Sequence, residues 1–469
     1  MIEVCQYRDK SVAVLGLGRS GLAAARALAA GGANVLLWDD DQPRRGSGEA
    51  AAFSVTDLLD TDFAGVAALV LSPGIPLTHP EPHPVVRRAQ AAGCPVVGDV
   101  ELFAGAITRT PVVGVTGTNG KSTTTALIGH ILEKCGRRVA VGGNLGRPVL
   151  DLPMLDEDGV YVLELSSFQI DLAAGLVCNV AVLLNLSPDH LDRHGDMAGY
   201  VAVKKRLLEQ QTVADTAVIG LGDRESREIF EGLRAAQIQK VIPVGVGQSV
   251  HGGVYVIDGT LHDAIGPQSA TSDLRGIDSL LGAHNWQNAA AAIAVVCALG
   301  LSSEEACAAL PSFPGLPHRL ELIATIDGVR FVNDSKATNA DATARALATF
   351  ENIHWIAGGI AKAGGIQPLT SHFPHVVHAY LIGEAAEAFS GTLGAGVPHT
   401  VTGTLDRALA DAFERCRGAP RGDGPVVLLS PACASFDQFP NFEARGDAFR
   451  TRVNALKADN RIANRGARC

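Results

Sequence analysis

Short β-branched runs alternate with amphipathic stretches along most of the chain. Ser11–Gly16 (Ser-Val-Ala-Val-Leu-Gly) reads as a strand, followed by a helix to about Ala30 with Gly31-Gly32 as its stop and a second strand over Asn34–Trp38. Ala67–Leu71 and Val96–Val97 add later strands to this first unit. Pro111-Val-Val-Gly-Val-Thr116 is the next apolar run. After it, Leu127, Ile128, Ile131 and Leu132 share one helix face and Gly136 ends the helix. Strands follow over 160–165 and 179–186, and in the last third over Val329–Val332, Ile353–Ala357 and Val426–Leu429. Strands alternating with helices predict parallel sheets. The polar, basic tail beyond about Lys457 is expected to be disordered.

Composition narrows the classes. A length of 469 residues suits about three domains. The net charge of -10 argues against general nucleic-acid binding. Apolar runs are broken before bilayer length, which predicts no membrane partner. Nine cysteines without C-x-x-C pairs indicate neither a disulfide framework nor a zinc site. The first residues carry no apolar leader, so a cytoplasmic protein with reduced thiols is expected.

Three strand ends carry chemistry. Strand 111–116 runs into Gly117-Thr-Asn-Gly-Lys-Ser-Thr123. Glycine-flanked backbone N–H groups and a helix N-terminus there can close on phosphate oxygens, with Lys121 on the β/γ-phosphates and Ser122 on Mg²⁺. Val115 stands where the usual first glycine of such a loop belongs. Glu164 ends an otherwise apolar strand, where a carboxylate needs a cation or a salt bridge. His190 follows the next strand in Asp189-His-Leu-Asp-Arg-His194 and suits a metal ligand or a core histidine. In open parallel sheets ligands bind beyond the carboxyl ends of strands, so the three are expected to converge. Gly16-Leu-Gly-Arg-Ser-Gly21 with Asp39 has the form of a dinucleotide loop, which alone would suggest an NAD enzyme but leaves the Lys121 loop unexplained. Lys204 reads as an ordinary exposed helix lysine. The predicted fold class is therefore α/β with three domains: a Rossmann-like N-terminal domain (1–108), a central P-loop-type ATP-binding domain with a mostly parallel sheet (109–315) and a Rossmann-like C-terminal domain (316–469).

Thr116-Gly-Thr-Asn-Gly-Lys-Ser122, Glu164-Leu-Ser-Ser-Phe-Gln169, Asp189–His194 and His284-Asn-Trp-Gln-Asn288 resemble the Mur ligase family of peptidoglycan precursor synthesis. Leu71-Ser-Pro-Gly-Ile75, Asp334-Ser-Lys-Ala-Thr-Asn339 and Ser430–Phe439 are similar to its D-glutamate-adding branch. The resemblance implies a monomeric ligase that takes ATP, UDP-N-acetylmuramoyl-L-alanine and D-glutamate and proceeds through an acyl phosphate. It implies Lys121, His190 and Lys204 as catalytic residues. One or two Mg²⁺ ions would be held by Ser122, Glu164, His190 and a carbamylated Lys204. ATP would be bound by Gly117, Thr118, Asn119, Gly120, Lys121, Ser122, Thr123, Asn285, Asn288, Arg319 and Asp334. Gly18, Arg19, Ser20, Asp39, Ser72, Gly74, Asn144 and Gln169 would face the UDP substrate, so that the first loop binds a uridine diphosphate and not NAD. Lys336, Thr338, Lys362, Ser435 and Phe442 would receive D-glutamate. One departure is Asp40-Asp41, acidic where relatives often place a threonine and an arginine.

Overall fold

The computed structural model describes residues 1–47, 52–266, 270–417 and 424–466, with side chains through residue 458. Three main sheets account for most strands. The first has five parallel strands in the order Ser54–Val55, Asn34–Trp38, Ser11–Leu15, Val66–Leu71, Val96–Val97. The order reverses direction at Ser11–Leu15, and the Gly-rich loop leaves from its carboxyl end into helix Arg19–Ala30. The alanine-rich face of that helix (Ala23, Ala24, Ala27, Leu28) lies flat on the sheet because small side chains allow close approach.

The second sheet has nine strands. Its centre runs Val180–Leu183, Val112–Thr116, Gly159–Glu164, all parallel, so the strand ends that lead to His190, Lys121 and Glu164 are neighbours. Its far edge is an antiparallel extension, Val254–Ile257, Thr260–Asp263 and Thr271–Asp273, which the strand–helix alternation did not foretell. Its hairpin turns on Asp258-Gly259, both at positive φ (49° and 76°), an Asp-Gly pair suited to a tight two-residue turn. These two sheets and residues 285–313 fold as one compact unit, Met1–Leu274 with Asn285–Phe313.

The other unit comprises Arg275–His284 and Pro314–Cys469. Its six-stranded sheet runs Glu321–Ile326, Val329–Asn333, Val426–Leu429, Ile353–Gly358, Val376–Ile382, His399–Gly403, parallel except for the edge hairpin at Asp327-Gly328. Trp355, Phe389 and Leu428 anchor the core on one face of the sheet, Phe331, Phe413 and Phe449 on the other. The final helix, Phe442–Gly466, carries backbone helix well past Lys457. The expected disorder of the tail is corrected over that stretch: its Ala, Arg and Asn residues contain no helix breaker before Gly466. Residues 467–469 lie outside the described residues. No described helix is long and apolar enough to cross a membrane.

Candidate active site

The glycine-rich loop is held from outside as well as from within. Thr118 N donates to Asn185 O (2.9 Å), Asn119 N donates to Asn185 Oδ1 (2.9 Å), and Thr118 Oγ1 donates to Ser187 O (3.1 Å). Gly120 has φ +83°, and a Cβ there would sit 2.3 Å from Asn288 Oδ1, so no larger residue fits. Asn288 in turn accepts from Thr124 Oγ1 (3.1 Å) and donates to Asn285 Oδ1 (3.0 Å), which ties helix Ala283–Ala298 to the start of helix Lys121–Lys134. Both asparagines are buried. Asn185 went unnoticed in the sequence; its only signal is its place just after a parallel strand.

Lys121 Nζ donates to the loop carbonyls of Gly117 (2.9 Å) and Thr118 (2.8 Å). Lys204 Nζ donates to the same Gly117 O (2.9 Å) and to Thr116 Oγ1 (3.1 Å). The reading of Lys204 as an exposed helix lysine is wrong: it is 1% exposed. Helix Met197–Glu209 turns Tyr200, Val203, Lys204, Leu207 and Leu208 inward, a spacing of three and four that carries the lysine into the core. Burial, and then the neighbouring Lys121 charge, push the Lys204 ammonium well below the usual lysine range. Among the described residues it has no carboxylate ion-pair partner, and its amine lies 4.9 Å from the Tyr200 ring centre. Tyr200 completes the cluster with its hydroxyl 3.1 Å from Thr118 Oγ1.

Glu164 is buried, yet no cation pairs with it among the described residues. One carboxylate oxygen accepts from Asn144 Nδ2 (2.7 Å), and the other is buried with no partner. An orphaned carboxylate oxygen at the carboxyl end of a strand next to a phosphate loop is suited to a hard divalent cation. Ser122, buried at the second position of its helix, brings a further oxygen. His190 is half exposed, so it is not a core histidine; that position belongs to His194, which bonds Ser167 Oγ (2.9 Å). The left-handed backbone of His190 (φ 52°) opens the short helix Leu191–His194, and its ring packs on Phe168 (4.8 Å between centroids).

A second feature adjoins this one. Gly18, Arg19, Ser20, Asp39, Ser72, Gly74, Asn144 and Gln169 all line one cavity of about 460 Å³, together with Asp40, Arg44, Ile75 and Gly146. The cavity lies at the switch point of the first sheet, where its strand order reverses. Asp39 is partly committed internally: its carboxylate accepts from Leu17 N (2.6 Å) and Asp41 N (2.9 Å), which fixes the loop. Arg44, whose Nη1 lies 3.5 Å from Asp39 Oδ2, adds a guanidinium to that of Arg19 in a cavity that Asp39 and Asp40 also line. Asn144 touches both features, lining the cavity and bonding Glu164.

In the other unit, Asp334 is buried, accepting from Ser430 Oγ (2.7 Å) and Leu320 N (3.3 Å), and burial pushes its carboxyl up to about 7. Arg319 sits between two residues at positive φ, His318 (63°) and Leu320 (44°). Lys336 Nζ lies over the Phe442 ring (5.1 Å). Ser335 Oγ donates to Phe442 O (2.8 Å), and the fully buried Arg445 ties Ser335 to Cys433 O. A short antiparallel pair, Ile360–Ala361 with Cys433–Ala434, brings the Lys362 segment beside the buried Ser435. The segments carrying Lys336, Thr338, Lys362, Ser435 and Phe442 are thus drawn together, with Lys362 exposed.

Family models match along the chain in this order: Mur ligase MurD-like, N-terminal domain (residues 10–98); Mur ligase middle domain (115–296); and Mur ligase, glutamate ligase domain (318–433). A relative from Caulobacter vibrioides named UDP-N-acetylmuramoylalanine--D-glutamate ligase is 51% identical over 465 residues, covering 98% of both chains. One of the same name from Brucella abortus is 50% identical over 463 residues, covering 97% of this chain and 98% of the relative. Among solved structures, a UDP-N-acetylmuramate-alanine ligase from Thermotoga maritima shares the fold, with a TM-score of 0.58 at 16% identity over 95% of this chain and 99% of its own. With three family models in register and half of all positions shared with full-length relatives, this chain belongs to the Mur ligase family.

Proposed function

We propose that this Mur ligase joins D-glutamate to UDP-N-acetylmuramoyl-L-alanine at the expense of ATP, acting as a cytoplasmic monomer. The observation that carries the reading is Asn144. It lines the cavity suited to a nucleotide sugar and bonds the Glu164 carboxylate, whose free oxygen faces no protein partner. One side chain thus links the place where the substrate is held to the place where its carboxylate would be phosphorylated. The names of relatives at 50–51% identity support the choice of substrates.

The substrate carboxylate attacks the γ-phosphorus of ATP, forming an acyl phosphate and ADP. The D-glutamate amine then adds to the acyl carbon, and collapse of the tetrahedral intermediate releases phosphate and a proton. Lys121, once drawn off the loop carbonyls by nucleotide, offsets charge on the transferring phosphoryl group. Backbone N–H groups of Gly120–Thr123 would bind the other phosphates, those of Thr118 and Asn119 being taken by Asn185, with Asn285 and Asn288 bracing the loop. Ser122, Glu164 and His190 fit Mg²⁺, which when bound supplies positive charge to the phosphates and the substrate carboxylate. Burial lowers the cost of reaching the free amine of Lys204, and that amine is a nucleophile for CO₂. The Lys204 nitrogen bonds the CO₂ carbon and loses a proton to solvent, and the resulting carbamate would offer an anionic oxygen beside Glu164 and His190 in place of an ammonium.

Arg19 and Ser20 at the start of their helix suit the diphosphate; Gly18, Asp39, Ser72, Gly74 and Gln169 shape the remainder of that cavity. Arg319 and Asp334 would serve ATP, and Lys336 and Lys362, with Thr338, Ser435 and Phe442, the dicarboxylate D-glutamate. The test is phosphate release with ATP, Mg²⁺ and UDP-N-acetylmuramoyl-L-alanine, comparing D-glutamate with L-glutamate, other amino acids and no amine. Release that depends on D-glutamate supports the reading; release that follows another amine reassigns the substrate within the family.

A further inference from the structure

Arg193 has no role in the reaction as described, yet its setting is that of a fastening. It is 8% exposed, and Nη2 donates to Ile75 O (2.5 Å) while Nη1 lies 3.5 Å from His79 O. Its guanidinium also covers the Phe168 ring (5.3 Å to the centroid), the ring against which His190 packs. Arg193 therefore joins two segments from different sheets. One is the loop beginning at Ser72, whose residues Ser72, Pro73, Gly74 and Ile75 line the nucleotide-sugar cavity. The other is the turn at His190, leading through His194 and Tyr200 to Thr118 of the phosphate loop. A fork of donors reaches two carbonyls and stacks on a ring at once; a lysine could reach only one of them.

The near end of the cavity loop does not depend on this contact. Ser72 N donates to Leu15 O (2.9 Å) and Ser72 Oγ to Gly16 O (2.9 Å), so the floor of the cavity is pinned independently. Only the far half, Ile75 to His79, is held by Arg193. We propose, building on the ligase reading above, that Arg193 is a positioning residue. By clamping this loop to the His190 turn it sets the reach from the nucleotide-binding floor to the phosphoryl-transfer centre. Reacting atoms must meet within about 3–3.5 Å, and a misplacement near 1 Å costs on the order of 100-fold in rate.

The test uses Arg193→Met and Arg193→Lys in the full chain. With Arg193→Met, kcat is expected to fall at least tenfold and KM for UDP-N-acetylmuramoyl-L-alanine to rise. KM for D-glutamate and calorimetric affinity for UDP alone should stay within about threefold. Arg193→Lys should recover part of the loss and carries the test should the methionine variant not fold. Unchanged kcat and KM in both variants would overturn the proposal, as would an equal loss for UDP and for all three substrates, which marks general damage. If the unaltered chain itself makes no product with D-glutamate, the ligase reading fails separately. The clamp is then judged by calorimetry: it stands if Arg193→Met weakens UDP-N-acetylmuramoyl-L-alanine but not UDP, and falls if both bind as before.

Discussion

Replacing Lys204 by methionine should make the resting protein more stable and the enzyme inactive. The side chain is fully buried and, among the described residues, lacks an ionic partner, so the native state carries most of the cost of stripping water from an ammonium. Two hydrogen bonds oppose that cost, each worth about 1.5–3 kcal/mol when one partner is charged. Their loss strands neither acceptor: Gly117 O still receives Lys121 Nζ (2.9 Å), and Thr116 Oγ1 still donates to Leu165 O (2.9 Å). Methionine fills nearly the same volume without the charge. Replacing even a buried ion pair by apolar residues of similar volume is often neutral or stabilising by about 1–4 kcal/mol, and an unpaired charge has no partner attraction to lose; each kcal/mol moves Tm by about 2–4 °C in a unit of 150–250 residues. Scanning calorimetry in CO₂-depleted, Mg²⁺-free buffer at pH 7 should show an unchanged or higher Tm. The wild-type amine titrates below 10.5 when folded and near 10.5 when unfolded, so the unfolded chain holds the extra proton between those values. Wild-type stability must therefore climb with pH through that window, and the gap to Lys204→Met must narrow. Ligase turnover in the variant should drop at least 100-fold. A Tm lowered by several degrees would refute the energetic reasoning, and retained turnover would refute the carbamate.

Gly120→Ala should cost at least tenfold in ATP affinity, read by calorimetry, because a Cβ 2.3 Å from Asn288 Oδ1 at φ +83° forces the loop open. Glu164→Gln should weaken apparent Mg²⁺ affinity at least tenfold in the turnover assay while Mg²⁺-free nucleotide binding holds, since the amide keeps the shape but not the charge. His354 and His378, on adjoining strands, are held neutral by burial with titration pushed down to about 4. The unfolded chain gains those protons near 6.5, so the unit bearing them should lose stability as pH falls from about 6.5 to about 4. Substituting Phe at 378 should flatten that slope in thermal melts.

Sequence pattern exposed the sheets where strand, glycine and helix follow one another. Asn34–Trp38 and Val96–Val97 fall where the apolar runs end. Ser122, Glu164 and His190 were expected to converge because each lies at or beyond the carboxyl end of a strand, and those three strands are neighbours in the sheet. Lys204 was not legible, because a lysine on a helix carries no mark of which face it occupies; only the inward Tyr200, Val203 and Leu207 around it give that face away. The bond of Asp334 to Ser430 was not legible, because it joins the ends of two strands far apart in sequence. Arg193 and Asn185 act through backbone carbonyls and amides elsewhere in the chain, contacts no local pattern encodes. The antiparallel edge at Asp258-Gly259 did carry a turn signal, overshadowed by the surrounding α/β rhythm.

The most direct measurement of the central claim follows oxygen from the substrate carboxylate. UDP-N-acetylmuramoyl-L-alanine labelled with oxygen-18 in its carboxylate is turned over with ATP, Mg²⁺ and D-glutamate, and the released phosphate and the product are weighed by mass spectrometry. An acyl phosphate followed by attack of the amine leaves one labelled oxygen in the phosphate and a product heavier by one glutamyl residue, in equal amounts and only with D-glutamate. Unlabelled phosphate, or product formed equally well from L-glutamate, would contradict the account.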